Sequence, residues 1–181
     1  HDVDEDGDVD VMLGRTWLRN EPGDAWTPVD IFTPRTGESD RLRLADVDGD
    51  GDDDLVLGNG HDPAGEVSWY ERPDDPTGQW THHLIDNLNN PQSLDAADLD
   101  GDGDIDLVVG EHDRDRPDEM GIYVYENLGG GTGWRRVTVY VGDEHHDGAQ
   151  FVDTDGDGDL DIVSIGFIQQ RVVLYENRTG D

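Results

Sequence analysis

Residues 98–106 read Asp98-Leu99-Asp100-Gly101-Asp102-Gly103-Asp104-Ile105-Asp106, a carboxylate at every second position with glycines between. If the backbone curls, the side chains of positions one, three, five and nine and the carbonyl of position seven converge on one point. Glycine at position six permits the curl, because it takes positive φ without a Cβ clash. Several hard oxygens around one centre suit Ca²⁺, which accepts oxygen ligands in flexible geometry and fills the remainder with water. Without a cation the same carboxylates repel one another.

The pattern occurs four times. The other copies are Asp2-Val3-Asp4-Glu5-Asp6-Gly7-Asp8-Val9-Asp10, Asp46-Val47-Asp48-Gly49-Asp50-Gly51-Asp52-Asp53-Asp54 and Asp153-Thr154-Asp155-Gly156-Asp157-Gly158-Asp159-Leu160-Asp161. The starts at 2, 46, 98 and 153 lie 44, 52 and 55 residues apart, the signature of a repeat architecture. An EF-hand is excluded on two grounds. Its loop closes with Glu at position twelve between helices, whereas position twelve here is Leu13, Leu57, Val109 or Ser164. A short β run also follows each loop, as in Leu55-Val56-Leu57 and Leu107-Val108-Val109.

Each loop is followed by the same succession. After Asp54 the sequence predicts a strand at 55–58, another at 67–71, a turn over Pro73–Gly78, a strand at 80–85, a turn over Asn87–Pro91 and a strand at 93–97 leading into the next loop. The following unit repeats this at 105–109, 121–127, 134–140 and 149–152. A Tyr-Glu pair recurs at 70–71, 125–126 and 175–176, with Trp17-Leu18-Arg19-Asn20 as its degenerate equivalent. Tryptophan opens the next strand at 26, 80 and 134. Four strands in about 50 residues describe a β-propeller blade. The expected fold class is therefore all-β, one propeller domain over 1–181 of four-stranded antiparallel blades. The blade repeats fall near 1–33, 41–85, 92–141 and 148–177, two of them complete and two partial. Counting strands A to D outward, the Asp-rich loops join A to B. The uneven ends predict further blades from a parent chain or from oligomerisation, rather than a self-sufficient monomer.

The motif Asp-x-Asp-Gly-Asp-Gly-x-x-Asp-[Leu/Ile]-Val at 46–56, 98–108 and 153–163 resembles the FG-GAP (VCBS) repeat of integrin α-subunit propellers and of secreted bacterial and archaeal proteins. The resemblance implies calcium in the A–B loops on one face and adhesion or ligand binding on the other. It also implies an extracellular or cell-surface location. The first copy departs at Glu5, outside the ligand set. The candidate metal residues are thus Asp2, Asp4, Asp6, Asp8 and Asp10; Asp46, Asp48, Asp50, Asp52 and Asp54; Asp98, Asp100, Asp102, Asp104 and Asp106; and Asp153, Asp155, Asp157, Asp159 and Asp161, for up to four Ca²⁺. Positions seven (Asp104) and eight (Asp53) are expected to turn their carboxylates to solvent.

The net charge is −33, with nearly half of the acidic residues in the four loops. Four Ca²⁺ carry +8 and would bring it to −25. Phosphate neutralisation needs Lys and Arg, so nucleic acid is excluded as a partner; all twelve basic residues are Arg. Cysteine is absent, so stability rests on packing and bound metal. No apolar run approaches a membrane span.

At the end opposite the loops, strand order gathers His61, His112, Gln92, His145 and His146, a candidate ligand face for carbohydrate or protein. An enzymatic alternative, a polysaccharide lyase or sugar dehydratase, would use a metal or histidine site at that mouth, with His112 and His146 as acid and base. The recurrent aromatics Trp69, Tyr70, Tyr123 and Tyr125 are expected in the packing between blades rather than on a sugar. No nucleophile elbow, phosphate-cradling loop or zinc motif is present, so the sequence itself assigns no catalytic residue.

Overall fold

Alternating apolar residues and Gly/Asn/Asp punctuation resolve into strands throughout the computed structural model, which describes residues 1–23, 25–33, 39–60, 65–146, 148–168 and 170–178. The strands are β1 (Val11–Leu13), β2 (Thr16–Glu21), β3 (Ala25–Asp30), β4 (Ser39–Ala45), β5 (Asp54–Asn59), β6 (Gly65–Glu71) and β7 (Thr81–Leu88). They continue as β8 (Pro91–Ala97), β9 (Asp106–Glu111), β10 (Gly121–Asn127), β11 (Trp134–Val141), β12 (Gly148–Val152), β13 (Asp161–Gly166) and β14 (Arg171–Tyr175). One 3₁₀ turn, Pro117–Glu119, interrupts them.

All pairing is antiparallel and sequential. Four sheets result, β1-β2-β3, β4-β5-β6-β7, β8-β9-β10-β11 and β12-β13-β14. They are blade-like units in an open series, with β4, β8 and β12 side by side as innermost strands. The second strand of a blade is covered on both faces, which is why β5 and β9 read as nearly continuous apolar runs instead of alternating. The Asp-rich loops join β4 to β5, β8 to β9 and β12 to β13, and the first copy leads into β1.

The core lies between sheets, in three clusters. Trp17 packs with Ile31, Leu55, Tyr70 and Trp80 between the first two sheets. Trp69 packs with Val47, Leu94, Leu107 and Tyr125 between the second and third. Val108, Ile122, Val124 and Ile162 close the third boundary. Tyr70, Tyr123 and Tyr125 are all buried here.

One connection is tighter than the sequence predicts. β7 runs on to Leu88 and β8 starts at Pro91, so the turn expected over Asn87–Pro91 shrinks to Asn89-Asn90. Asn90 takes the left-handed conformation (φ 56°) that Asn tolerates. Pro91 can open a strand because no ladder bond there needs its missing N–H.

Trp69 is fully buried and gives its indole N–H to the Gly131 carbonyl at 3.1 Å, across a sheet boundary. Trp69→Ala should cost about 3–5 kcal/mol in urea unfolding. The half-exposed Trp26, replaced by Ala, should stay within about 1 kcal/mol of the wild type.

Candidate metal sites in the loops between first and second strands

The four loops share one backbone. Positions four and six are left-handed throughout: Gly49, Gly101 and Gly156 have φ of 80°, 78° and 83°, and Gly51, Gly103 and Gly158 have 101°, 97° and 99°. In the first copy Gly7 takes φ 97° and Glu5, a non-glycine, takes 60°. The need for positive φ at position four was not drawn from the motif, although the glycines at 49, 101 and 156 signal it.

The first carboxylate organises the curl. Asp98 accepts the N–H groups of Gly101 (2.8 Å) and Gly103 (3.1 Å), one on each oxygen. Asp46 does the same with Gly49 and Gly51, Asp153 with Gly156 and Gly158, and Asp2 with Asp6 and Gly7. Asp100 and Asp102 each accept the N–H two residues on. Oxygens are thereby drawn inward to one point. Asp2, Asp4 and Asp6 each bring a carboxylate oxygen within 4.8 Å of the others, as do Asp46, Asp48 and Asp50; Asp98, Asp100 and Asp106; and Asp153, Asp155 and Asp157. These clusters could hold a metal ion. The all-oxygen donor set fits a hard cation, and Asp4 Oδ1 is buried without a hydrogen-bond partner, a gap that a cation would fill.

Position nine does something else as well. Asp10, Asp54, Asp106 and Asp161 are buried, and each accepts two backbone N–H groups from different segments. One comes from position two of its loop: Val3, Val47, Leu99 or Thr154. The other comes from Asn20, Arg72, Asn127 or Asn177, at or just beyond the end of the third strand. Burial, countered by those N–H bonds and reinforced by Asp48 and Asp50, pushes Asp54 up to about 7. The same causes, with Asp100 and Asp102 as the reinforcing charges, bring Asp106 to about 6. The Thr154 hydroxyl and the Asn177 N–H hold Asp161 below its ordinary value.

Arginines lie between the loops. Arg72 places its guanidinium 2.5 Å from Asp52 and gives its Nε–H to the Val3 carbonyl of the preceding loop. Arg19 stands 2.5 Å from Asp4 and 3.7 Å from Asp6. Asp53 and Asp104 are half-buried, less open than expected. His1 meets Asp53, and Asp104 lies beside the turn at Gly129.

At the other end the structure buries what the sequence suggested as a mouth. His112 gives Nδ1 to Glu144 at 2.8 Å, both buried. His145 is buried with Nδ1 2.6 Å from the Ser164 hydroxyl, and burial lowers its pKa. Gln92 is buried and donates to the Gly60 carbonyl. His146 is half-buried and packs edge-on against His112. His61 lies outside the described residues. Gly110 is required beside them, since a Cβ there would stand 2.4 Å from the His145 Cβ. Among the described residues these histidines form no metal-ligating group of three.

Residues 46–109, from the second Asp-rich loop to the strand after the third, match the family model of an FG-GAP-like repeat. Among curated proteins none matches the chain. No helix among the described residues is long and apolar enough to cross a membrane.

Two outcomes follow from position nine. A carboxyl whose folded pKa lies above its unfolded value stabilises the fold below the unfolded value, and that contribution is lost as pH rises through the folded pKa. With chelator present, the Tm should therefore fall between about pH 4 and about pH 7, the window set by Asp54 and Asp106. A Tm that climbs across that window would contradict the assignment. In the same chelated protein Asp106→Ala strands the buried N–H of Asn127 and the partly buried one of Leu99 and should cost about 1–3 kcal/mol for the buried group, whereas Asp104→Ala should cost far less in the same urea titration.

Proposed function

Starting from a chain that carries the FG-GAP-like repeat, we propose that it works as a calcium-stabilised, extracellular propeller module whose end remote from the calcium loops binds carbohydrate or protein. The observation that carries this reading is the fourfold recurrence of converging carboxylates on loops that are left-handed at positions four and six. Position one orients the loop and offers oxygens, positions three and five supply carboxylates, position seven supplies its carbonyl, and position nine adds a carboxylate while tying the loop to the third strand. Bound calcium supplies positive charge where the chain concentrates negative charge, and so favours the folded state that assembles the oxygens. Extracellular modules of this kind work with Kd of about 10⁻⁴–10⁻³ M, matched to ambient calcium. The first loop is the weakest of the four, because the Arg19 guanidinium already stands against Asp4 and Asp6.

A binding role suits the chemistry better than catalysis. His1 is paired with Asp53, and His112 and Glu144 are spent on each other. The remote end would present polar loop atoms over a rigid sheet scaffold, the usual arrangement of a recognition surface.

Removing calcium with EDTA should lower the Tm sharply, and restoring it should recover the curve; an unchanged Tm would refute a stabilising role. Calcium affinity measured calorimetrically should drop at least about tenfold in Asp102→Ala and remain near wild type in Asp104→Ala. For the ligand, a glycan array probed with and without calcium should return calcium-dependent hits, and a set of immobilised extracellular-matrix proteins serves as the parallel probe.

A further inference from the structure

The three boundaries between consecutive sheets are built from equivalent positions, yet the third is filled differently. Asn20, Arg72, Asn127 and Asn177 correspond, since each sends its N–H to the ninth carboxylate of its own loop. Three residues before the first three stand Trp17, Trp69 and Val124, facing the following sheet in the three core clusters. Trp17 and Trp69 are fully buried. Trp69 stacks on His83 at 4.2 Å and bonds through its indole nitrogen to the Gly131 carbonyl. Val124 brings neither ring nor donor. Val137, its partner across β10 and β11 where His83 partners Trp69 across β6 and β7, is 43% exposed.

Other marks of incomplete filling coincide there. At the first two boundaries the side chains of Arg72 and Asn127 cross over to the carbonyls of Val3 and Val47 in the preceding loop. Asn177 gives its amide to Leu160 of its own loop, as Asn20 does to Val9. Tyr125 donates its hydroxyl to Asp86 across the second boundary; the equivalent Tyr175 hydroxyl is buried and has no hydrogen-bond partner among the described residues. Between these elements lies a half-open cavity of about 310 Å³. Leu99, Val124, Val137 and Val139 form one wall, and Ile162 and Tyr175 the other. The paired Arg135 and Glu126 also border it.

We propose that this groove is a binding site for a small planar aromatic molecule of indole size. The fold itself states the fit: at the two equivalent boundaries the corresponding space is filled by an indole. A dry apolar cavity of about half this volume already takes up benzene, and burial of a ring between aliphatic walls and a tyrosine face is favourable through area alone. The groove lies between sheets, with Asp100 of the third loop in its lining and Tyr175, which also faces the His145 ring, in its wall.

The test uses indole as probe on the isotope-labelled 181-residue chain, followed by methyl chemical shifts. Saturable shifts centred on Val124, Val137 and Ile162 are expected. Val124→Trp places the chain's own indole in the groove, and should weaken indole binding at least about tenfold and raise the Tm. Val124→Phe, a smaller filler, should weaken it by less and keeps the test open if the tryptophan variant fails to fold. The proposal is overturned if indole gives no saturable shifts at millimolar concentration, if the shifts centre elsewhere, or if a folded Val124 variant binds indole as the wild type does.

Discussion

Asp10, Asp54, Asp106 and Asp161 each receive two backbone N–H groups, one from their own loop and one from the end of the third strand. That shared acceptor is the constraint from which the rest follows. It fixes where the loop sits on its sheet, and through the loop it fixes the residue at position two. The carbonyls of Val3 and Val47 then meet Arg72 and Asn127 of the following sheet. A buried carboxylate thus sets the register within a blade and, one bond further, the seating of one blade on another. Hydrogen bonds to an ionised acceptor are among the stronger ones available to a protein, but here they work against burial and against the neighbouring carboxylates.

The conflict is visible in the raised pKa values of Asp54 and Asp106. The loop that positions the blade is also the place where the chain gathers most negative charge. A divalent cation would relieve both problems at once, because it would supply the opposite charge at the point on which the oxygens already converge. Arg72 shows a second solution, a guanidinium held between the loops of two adjacent blades. With cysteine absent, such electrostatic ties and the apolar packing between sheets carry the stability of the arrangement.

Much of this was legible because it is local. The alternating carboxylates, the glycine at position six and the β runs that follow each loop lie within a dozen residues of one another, and they gave the strand order and the placement of loops between first and second strands. What escaped reading depends on distant segments. Nothing near Asn127 announces that its amide reaches Val47, eighty residues back. His112 and His145 look like mouth residues in strand order, and only the packing of the next blade buries them. The left-handed Glu5 is hidden for another reason, since a non-glycine gives no signal of positive φ on its own. The exchange of indole for Val124 stands in plain view one residue before the recurrent Tyr-Glu pair, but the space it leaves emerges only from the packing between sheets.

The most direct test of the account is a count of calcium ions retained by the folded chain in native mass spectrometry across a calcium titration. Stepwise loading to four ions per chain, with the last step suppressed by the guanidinium of Arg19 and released in Arg19→Ala, is the predicted result. A folded chain that retains no calcium at millimolar concentration, or that retains it without regard to Asp→Ala changes in the loops, would contradict it.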